Sequence, residues 1–228
     1  MKKTLTTIII IIILGIGGAA WWYIKARGNT AEKNPENTGQ STQNNPAADN
    51  KTDTPWKIAT ATLPARPAQN SQPSNQNVFA NEDFSFSYPD GWQSIPPQIG
   101  ILAMLIKQNE LITDPQAKKM NFQSYLSVSY SSSENNEKKQ IIDAIKIQLR
   151  SLIPNITFSN EQSLSINKND AYAMEMNLNQ NSIDFHILMV LIWGKESDVW
   201  VLSFNTLESM WQGYAGTFGE ISRSFIVK

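Results

Sequence analysis

The sequence predicts an α+β domain, an antiparallel sheet with helices packed on it, and three observations lead there. Segments after Phe79 repeatedly alternate apolar and polar residues, as in Phe84-Ser85-Phe86-Ser87-Tyr88, the period of a half-buried strand. Short, turn-rich connections separate these segments, which favours hairpins over the long crossovers that parallel strands need. Two other segments carry apolar residues at the three- and four-residue spacing of an amphipathic helix.

Taken in order, Phe84 to Tyr88 is a strand that Pro89-Asp90-Gly91 breaks as a turn. Ile101 to Lys107 is an apolar run suited to a buried strand, and Leu126, Val128 and Tyr130 alternate with serines. Asp114, Lys118 and Lys119 fall in a loop between these two strands and match no motif. Glu134 to Ile153 is the clearest helix, with Ile141, Ile142, Ile145, Leu149, Leu152 and Ile153 on one stripe, Ser133 as its cap and Pro154 as its stop. Strands then follow over Ile156–Ile166, Tyr172–Leu178, Ile183–Trp193 and Asp198–Phe204, with a turn at Asn179-Gln180-Asn181. Ile187 to Trp193 is apolar on both faces, which marks a central strand. Leu207, Met210, Trp211, Tyr214, Phe218, Ile221 and Phe225 predict a last helix capped by Thr206. Gly213, Gly216 and Gly219 within it predict a close approach to the sheet.

Upstream, the chain divides into residues 1–27, 28–78 and 79–228. Thr4 to Ile24 contains the Ile8 to Ile13 run and is about as long as a bilayer core requires. Trp21, Trp22 and Tyr23 stand where an interfacial aromatic belt would, with Lys25 and Arg27 beyond them. This reads as a single-pass anchor through residues 4–24, holding the remainder outside the cytoplasmic membrane. Lys2, Lys3 and Gly18-Ala19-Ala20 equally supply the parts of a cleaved signal peptide, which would release the chain as a secreted protein. Residues 28–78 are rich in Asn, Thr, Gln, Ser and Pro and too poor in apolar side chains to offset their chain entropy, so they read as a disordered linker.

Residues 79 to 228 hold 11 Lys/Arg against 16 Asp/Glu, and no basic stripe is present, which argues against nucleic acid as a partner. The chain has no cysteine, which excludes disulfides, thiolate metal sites and a cysteine nucleophile.

The stretch Phe84-Ser85-Phe86-Ser87-Tyr88-Pro89-Asp90-Gly91-Trp92, a strand closing in an aromatic-Pro-x-Gly-Trp turn, resembles the opening of PsbP-like domains. The order of elements is similar too, down to a last helix after the aromatic-rich strand Trp200-Val201-Leu202-Ser203-Phe204. The resemblance covers about residues 79–228 and implies an α/β/α sandwich with a binding or assembly role rather than catalysis. A protein partner in the cell envelope is what such a role requires.

The residues themselves offer little catalytic chemistry. His186 is the only histidine, and no Gly-x-Ser-x-Gly elbow accompanies it. If Gln180-Asn181 closes a hairpin, Glu175 faces His186 and Asn177 faces Asp184. Glu175, Asp184 and His186 would then be candidates for a divalent-metal site or an envelope enzyme acting on a small ligand. The plainer expectation is a solvated hairpin face. No cofactor is expected. Trp92, Trp193, Trp200 and Trp211 are expected in packing, with a ligand groove as the alternative.

Overall fold

A computed structural model describes residues 76–134 and 136–228. The Thr4–Ile24 segment and nearly all of the linker lie outside these residues. Among the described residues no helix is long and apolar enough to cross a membrane.

The strands of the described residues run β1 (Gln76–Ala80), β2 (Phe84–Pro89), β3 (Trp92–Ile95), β4 (Ala103–Lys107), β5 (Tyr125–Ser132), β6 (Thr157–Ile166), β7 (Asn169–Gln180), β8 (Ile183–Trp193), β9 (Asp198–Leu207) and β10 (Ile226–Val227). Among the described residues three helices join them: α1 (Pro115–Lys119), α2 (Lys138–Leu152) and α3 (Trp211–Ser224). Seven strands form one sheet in the order β3-β4-β5-β9-β8-β7-β6, and β1-β2-β10 form a small second sheet. All of the paired strands are antiparallel, as the hairpin-rich sequence requires.

The large sheet is covered on both faces, which is why β8 reads as apolar from Ile187 to Trp193. On one face Leu188, Val190, Ile192, Leu202 and Phe204 pack under Trp211, Phe218 and Ile221 of α3 and under Phe84 and Phe86 of β2. On the other, Met174, Met176, Ile187, Met189 and Leu191 meet Ile141, Ile142, Ile145 and Leu149 of α2. Each such side chain, fully buried, contributes about 1.5–3 kcal/mol.

Several boundaries differ from expectation, each for a local reason. β1 takes in Gln76, Asn77 and Val78, residues read as the end of the linker, because they pair with Pro89, Tyr88 and Ser87 of β2. Glu134 has φ 48°, which no helix tolerates, so α2 begins at Lys138. Its N-cap is Glu137, whose N–H is accepted by Gln140 Oε1 at 3.1 Å, while Ser133 is tied instead to Ser197 O at 2.6 Å. The unassigned Asp114–Lys119 stretch is the short helix α1: Asp114 Oδ1 accepts the N–H groups of Gln116 and Ala117 at 2.9 and 2.8 Å, and Lys118 and Lys119 close its last turn. Thr206 caps nothing, because β9 runs to Leu207 and a 3-10 turn over Glu208–Met210 precedes α3. Gly216 and Gly219 are buried, but an added Cβ on Gly213 would meet nothing within 4 Å, so close packing does not explain that glycine.

Candidate functional site

The hairpin between β7 and β8 turns at Asn181-Ser182, both at positive φ (53° and 63°), one residue later than expected. Asn177 therefore faces His186, Asn179 faces Asp184, and Glu175 stands opposite Leu188. The pairs Glu175/His186 and Asn177/Asp184 expected from the sequence do not form. The shift keeps the same side chains on the same face, and Glu175 reaches His186 diagonally instead, with Oε2 3.1 Å from Nε2.

That face is not solvated. The chain leaving β9 folds back over it, leaving His186 and Glu175 only 4% and 5% exposed. Trp211, the first residue of α3, stacks on the imidazole with ring centroids 3.8 Å apart and planes 11° from parallel. Glu208 Oε2 lies 2.8 Å from His186 Nδ1 and also accepts from Asn177 Nδ2. On the far side Asn160 donates to Glu175 Oε2 at 2.9 Å. Asn160 sits at φ 49° where the β6–β7 register shifts between Ser159 and Gln162, so a bulge delivers this donor. One histidine thus joins β7, β8 and the entry to α3, with β6 holding its inner carboxylate.

The polar row continues across the sheet. His186 faces Thr206, whose Oγ1 is 2.7 Å from Ser124 Oγ. Ser124 gives both its hydroxyl and its N–H to Glu110, at 2.7 and 2.6 Å. Burial, then a hydrogen bond to Glu110, push the Tyr214 phenol of α3 well above its ordinary range. This layer of paired polar groups lies beneath the first turns of α3.

Asp184 stands apart. It is exposed and accepts from Asn179 Nδ2 at 2.6 Å. Among the described residues no three His, Asp or Glu side chains converge as a metal ion would require. A general base must also reach a substrate proton. Both nitrogens of His186 face carboxylates, and the indole of Trp211 occupies the space above the ring.

The tryptophans are core residues, with Trp92, Trp200 and Trp211 at 6%, 4% and 6% exposure. Trp193 differs, because it also lines a groove of about 1070 Å³ at the other end of the sheet, between the start of α2 and the β6–β7 turn. Neither Glu175 nor His186 lines this groove.

No protein-family model and no curated protein matches the chain. Among solved structures it is similar to the cyanobacterial PsbP of Synechocystis, with 15% identity and a TM-score of 0.51 over 71% of this chain and 98% of that one. It is also similar to LpqN of Mycobacterium tuberculosis, with 12% identity and a TM-score of 0.50 over 71% and 89%. The fold is PsbP-like.

In this PsbP-like domain the Phe84–Trp92 stretch is a packing device. Phe84 and Phe86 stack between Phe79 and Phe225, and Trp92 meets Tyr214 and Phe218 edge-on. Gly91, at φ 81°, supplies the backbone conformation that the turn between them needs. Sequence reading missed Asn160, Glu208 and the groove. Only Asn160 left a signal, since Asn160-Glu161 interrupts the alternation of its strand as a bulge does.

Proposed function

We propose that this chain is a non-catalytic binding and assembly module outside the cytoplasmic membrane, tethered through residues 4–24, with a protein of the cell envelope as its partner. The observation that carries the reading is the PsbP-like fold in which the only histidine is enclosed, closed over by Trp211 and held by Glu175 and Glu208. The similar LpqN is described as involved in cell envelope biogenesis, which supports an envelope setting. The apolar Thr4–Ile24 stretch with its flanking cations supports the tether.

The test is to express the full chain in bacteria, wash membranes with carbonate, and expose spheroplasts to protease. Retention in the membrane with a protease-sensitive C-terminal domain is expected. Release into the medium would replace the tether with a cleaved leader, and protection from protease would overturn the outward orientation. The non-catalytic half fails if the chain hydrolyses envelope material and a folded Glu208→Gln variant does not.

A further inference from the structure

On the α2 side of the large sheet, one strip is buried without a described helix above it. α2 packs on residues of β6, β7, β8 and β9 and on none of β3, β4 or β5. Its Lys146 and Arg150 lean away from β5, over Phe158 of β6. A helix with its side chains is about 10–12 Å across, roughly two strand spacings, so one seated on β7 and β8 does not reach β5. α1 packs on Ile183 and Leu207, at the ends of their strands. Yet Ser127 and Ser129 of β5 and Ser203 and Asn205 of β9 are only 2–6% exposed. All four lie on the α2 side, since Ser203 faces Met189 and Ser127, Asn205 faces Ile187, and Ser129 faces Val201. Beside them Met104 and Tyr125 are as well buried, in a cluster to which, among the described residues, only Ile101 and Phe122 come from outside the strands. Asn205 gives its amide to Ser203 O and Oγ, both at 3.1 Å, while its Oδ1 has no donor among the described residues. Side chains buried in this way need a cover, and the described helices do not supply it.

The stretch read as linker contains a segment suited to that task. Over residues 28–75 the only large apolar side chains are Trp56, Ile58 and Leu63, gathered in one short stretch. Between them Ala59-Thr60-Ala61-Thr62 is small and partly β-branched, which favours an extended chain and needs little room. Charge agrees as well. Residues 54–75 carry Lys57 and Arg66 and no acidic residue, whereas residues 79–228 hold 11 Lys/Arg against 16 Asp/Glu. The chain also enters the domain at the right border. Gln76 pairs with Pro89, and Asn77 Nδ2 donates to Asp90 Oδ1 at 2.9 Å, which sets this entry at the turn into β3, the last strand on that side. From β3 to β9 is three strand spacings, about 14 Å, with about 10 Å more to round the edge of the sheet. Residues 64–75 reach about 20 Å as a coil and about 40 Å when extended, so they span this path.

We propose that residues 56–63 fold back across the α2 side of the sheet and cover the strip between α2 and β4. Leu63 lies against Ile95 and Met104. Thr60, about 10 Å further along an extended chain, then stands two strands on, over Ser203 and Asn205, where a main-chain N–H donates to Asn205 Oδ1. Trp56 and Ile58 come against the flank of α2 opposite Lys146 and Arg150, where Ala144 and Gln148 are half-buried. The folded unit then begins at Trp56, and the free tether shortens to residues 28–55, with a coil reach of about 30 Å. This holds whether residues 4–24 stay in a membrane or not.

The experiment uses the full chain, ¹⁵N-labelled in detergent micelles. Because the chain has no cysteine, Lys57→Cys offers a single attachment point for a nitroxide, and Thr42→Cys offers one outside the proposed cover. Expected are backbone order parameters of about 0.85 over residues 57–63, the value of rigid backbone, against less than about 0.6 over residues 30–50. The nitroxide at position 57 should broaden the amides of Ser127, Ser203 and Asn205 most, and those of Ser85 and Ser87 of β2, beyond the opposite face, least. The nitroxide at position 42 should show no such preference. Trp56→Ala combined with Ile58→Ala should return residues 57–63 to linker values and shift the Asn205 side-chain amide. The resonances of α3 should stay in place, which separates lost docking from lost folding. Order parameters below about 0.6 over residues 57–63 of the unsubstituted chain overturn the proposal and leave the strip to a partner protein. Broadening centred on another surface overturns it too. A mixture of nitroxide-bearing ¹⁴N chain with unlabelled ¹⁵N chain distinguishes the remaining occupant: broadening of the strip there means that a second copy fills it, and the proposal fails.

Discussion

The two ends of the large sheet contain similar residues and use them in opposite ways. At the end where β8 begins, a histidine, two carboxylates and two asparagines are drawn under Trp211 and satisfy one another. At the end where β8 finishes, the Trp193 indole N–H has no acceptor among the described residues, and a groove opens between the start of α2 and the β6–β7 turn. Titratable side chains in a cluster do not by themselves mark a working site. A cluster whose titratable groups hold one another beneath a stacked indole has little left to offer a ligand.

The contrast breaks most readily at His186. Removing one partner from a buried, hydrogen-bonded pair leaves the other uncompensated, so His186→Ala should destabilise the domain by about 3–5 kcal/mol in urea unfolding. Replacing Glu175 and His186 together by leucine should recover most of that loss. A single-mutant cost below about 1 kcal/mol would show that the cluster is not what pins α3 to the sheet. Ser124→Ala comes next. It strips Glu110 of the hydroxyl donor, the N–H of residue 124 remaining, and Thr206 of its partner, and should cost about 1–3 kcal/mol.

How much of this was legible follows from the range of the forces. The strands from Phe84 to Phe204 and the stripe of α2 were readable, because each is a local period enforced by burial on a sheet. The fold-family likeness was readable for the same reason, since Phe84, Phe86 and Trp92 are packing residues. Glu175 and His186 could be placed on one face of one hairpin, since the side-chain period survives a one-residue error in the turn. Their enclosure could not, because it depends on Trp211 and Glu208, about twenty residues beyond His186, returning over that face. Nor could the groove, which exists only where the start of α2 comes to lie beside the β6–β7 turn.

Alkaline pH separates the two ends more gently. Burial pushes the phenol of Tyr125, at 5% exposure, well above its usual range. A raised folded-state pKa contributes stability that is whole below the unfolded value, about 10, and is lost as pH climbs beyond it, by about 1.4 kcal/mol per pH unit for one fully protected tyrosine. Melting followed from pH 8 to 11 should fall with pH, and Tyr125→Phe should make the fall shallower while leaving the part that Tyr214 contributes.

The smallest effect belongs to the outer border of the sheet. Burial alone would raise the Glu161 carboxyl, but hydrogen bonds from Lys146 and Tyr172, with the charges of Lys146 and Arg150, outweigh it and hold the group below its ordinary value. A lowered folded-state pKa gives stability that is present above the unfolded value, about 4.3, and disappears as pH falls through the folded one. Lys146→Met removes the ammonium, bonded at 2.7 and 2.8 Å, and keeps the stem over Phe158. Glu161 is one-third exposed, so the loss at neutral pH should be only about 0.5 kcal/mol, and it should vanish in melts at pH 3. A loss that persisted at pH 3 would mean that the Lys146 ammonium steadies the β6 edge through the face of Phe158 rather than through Glu161.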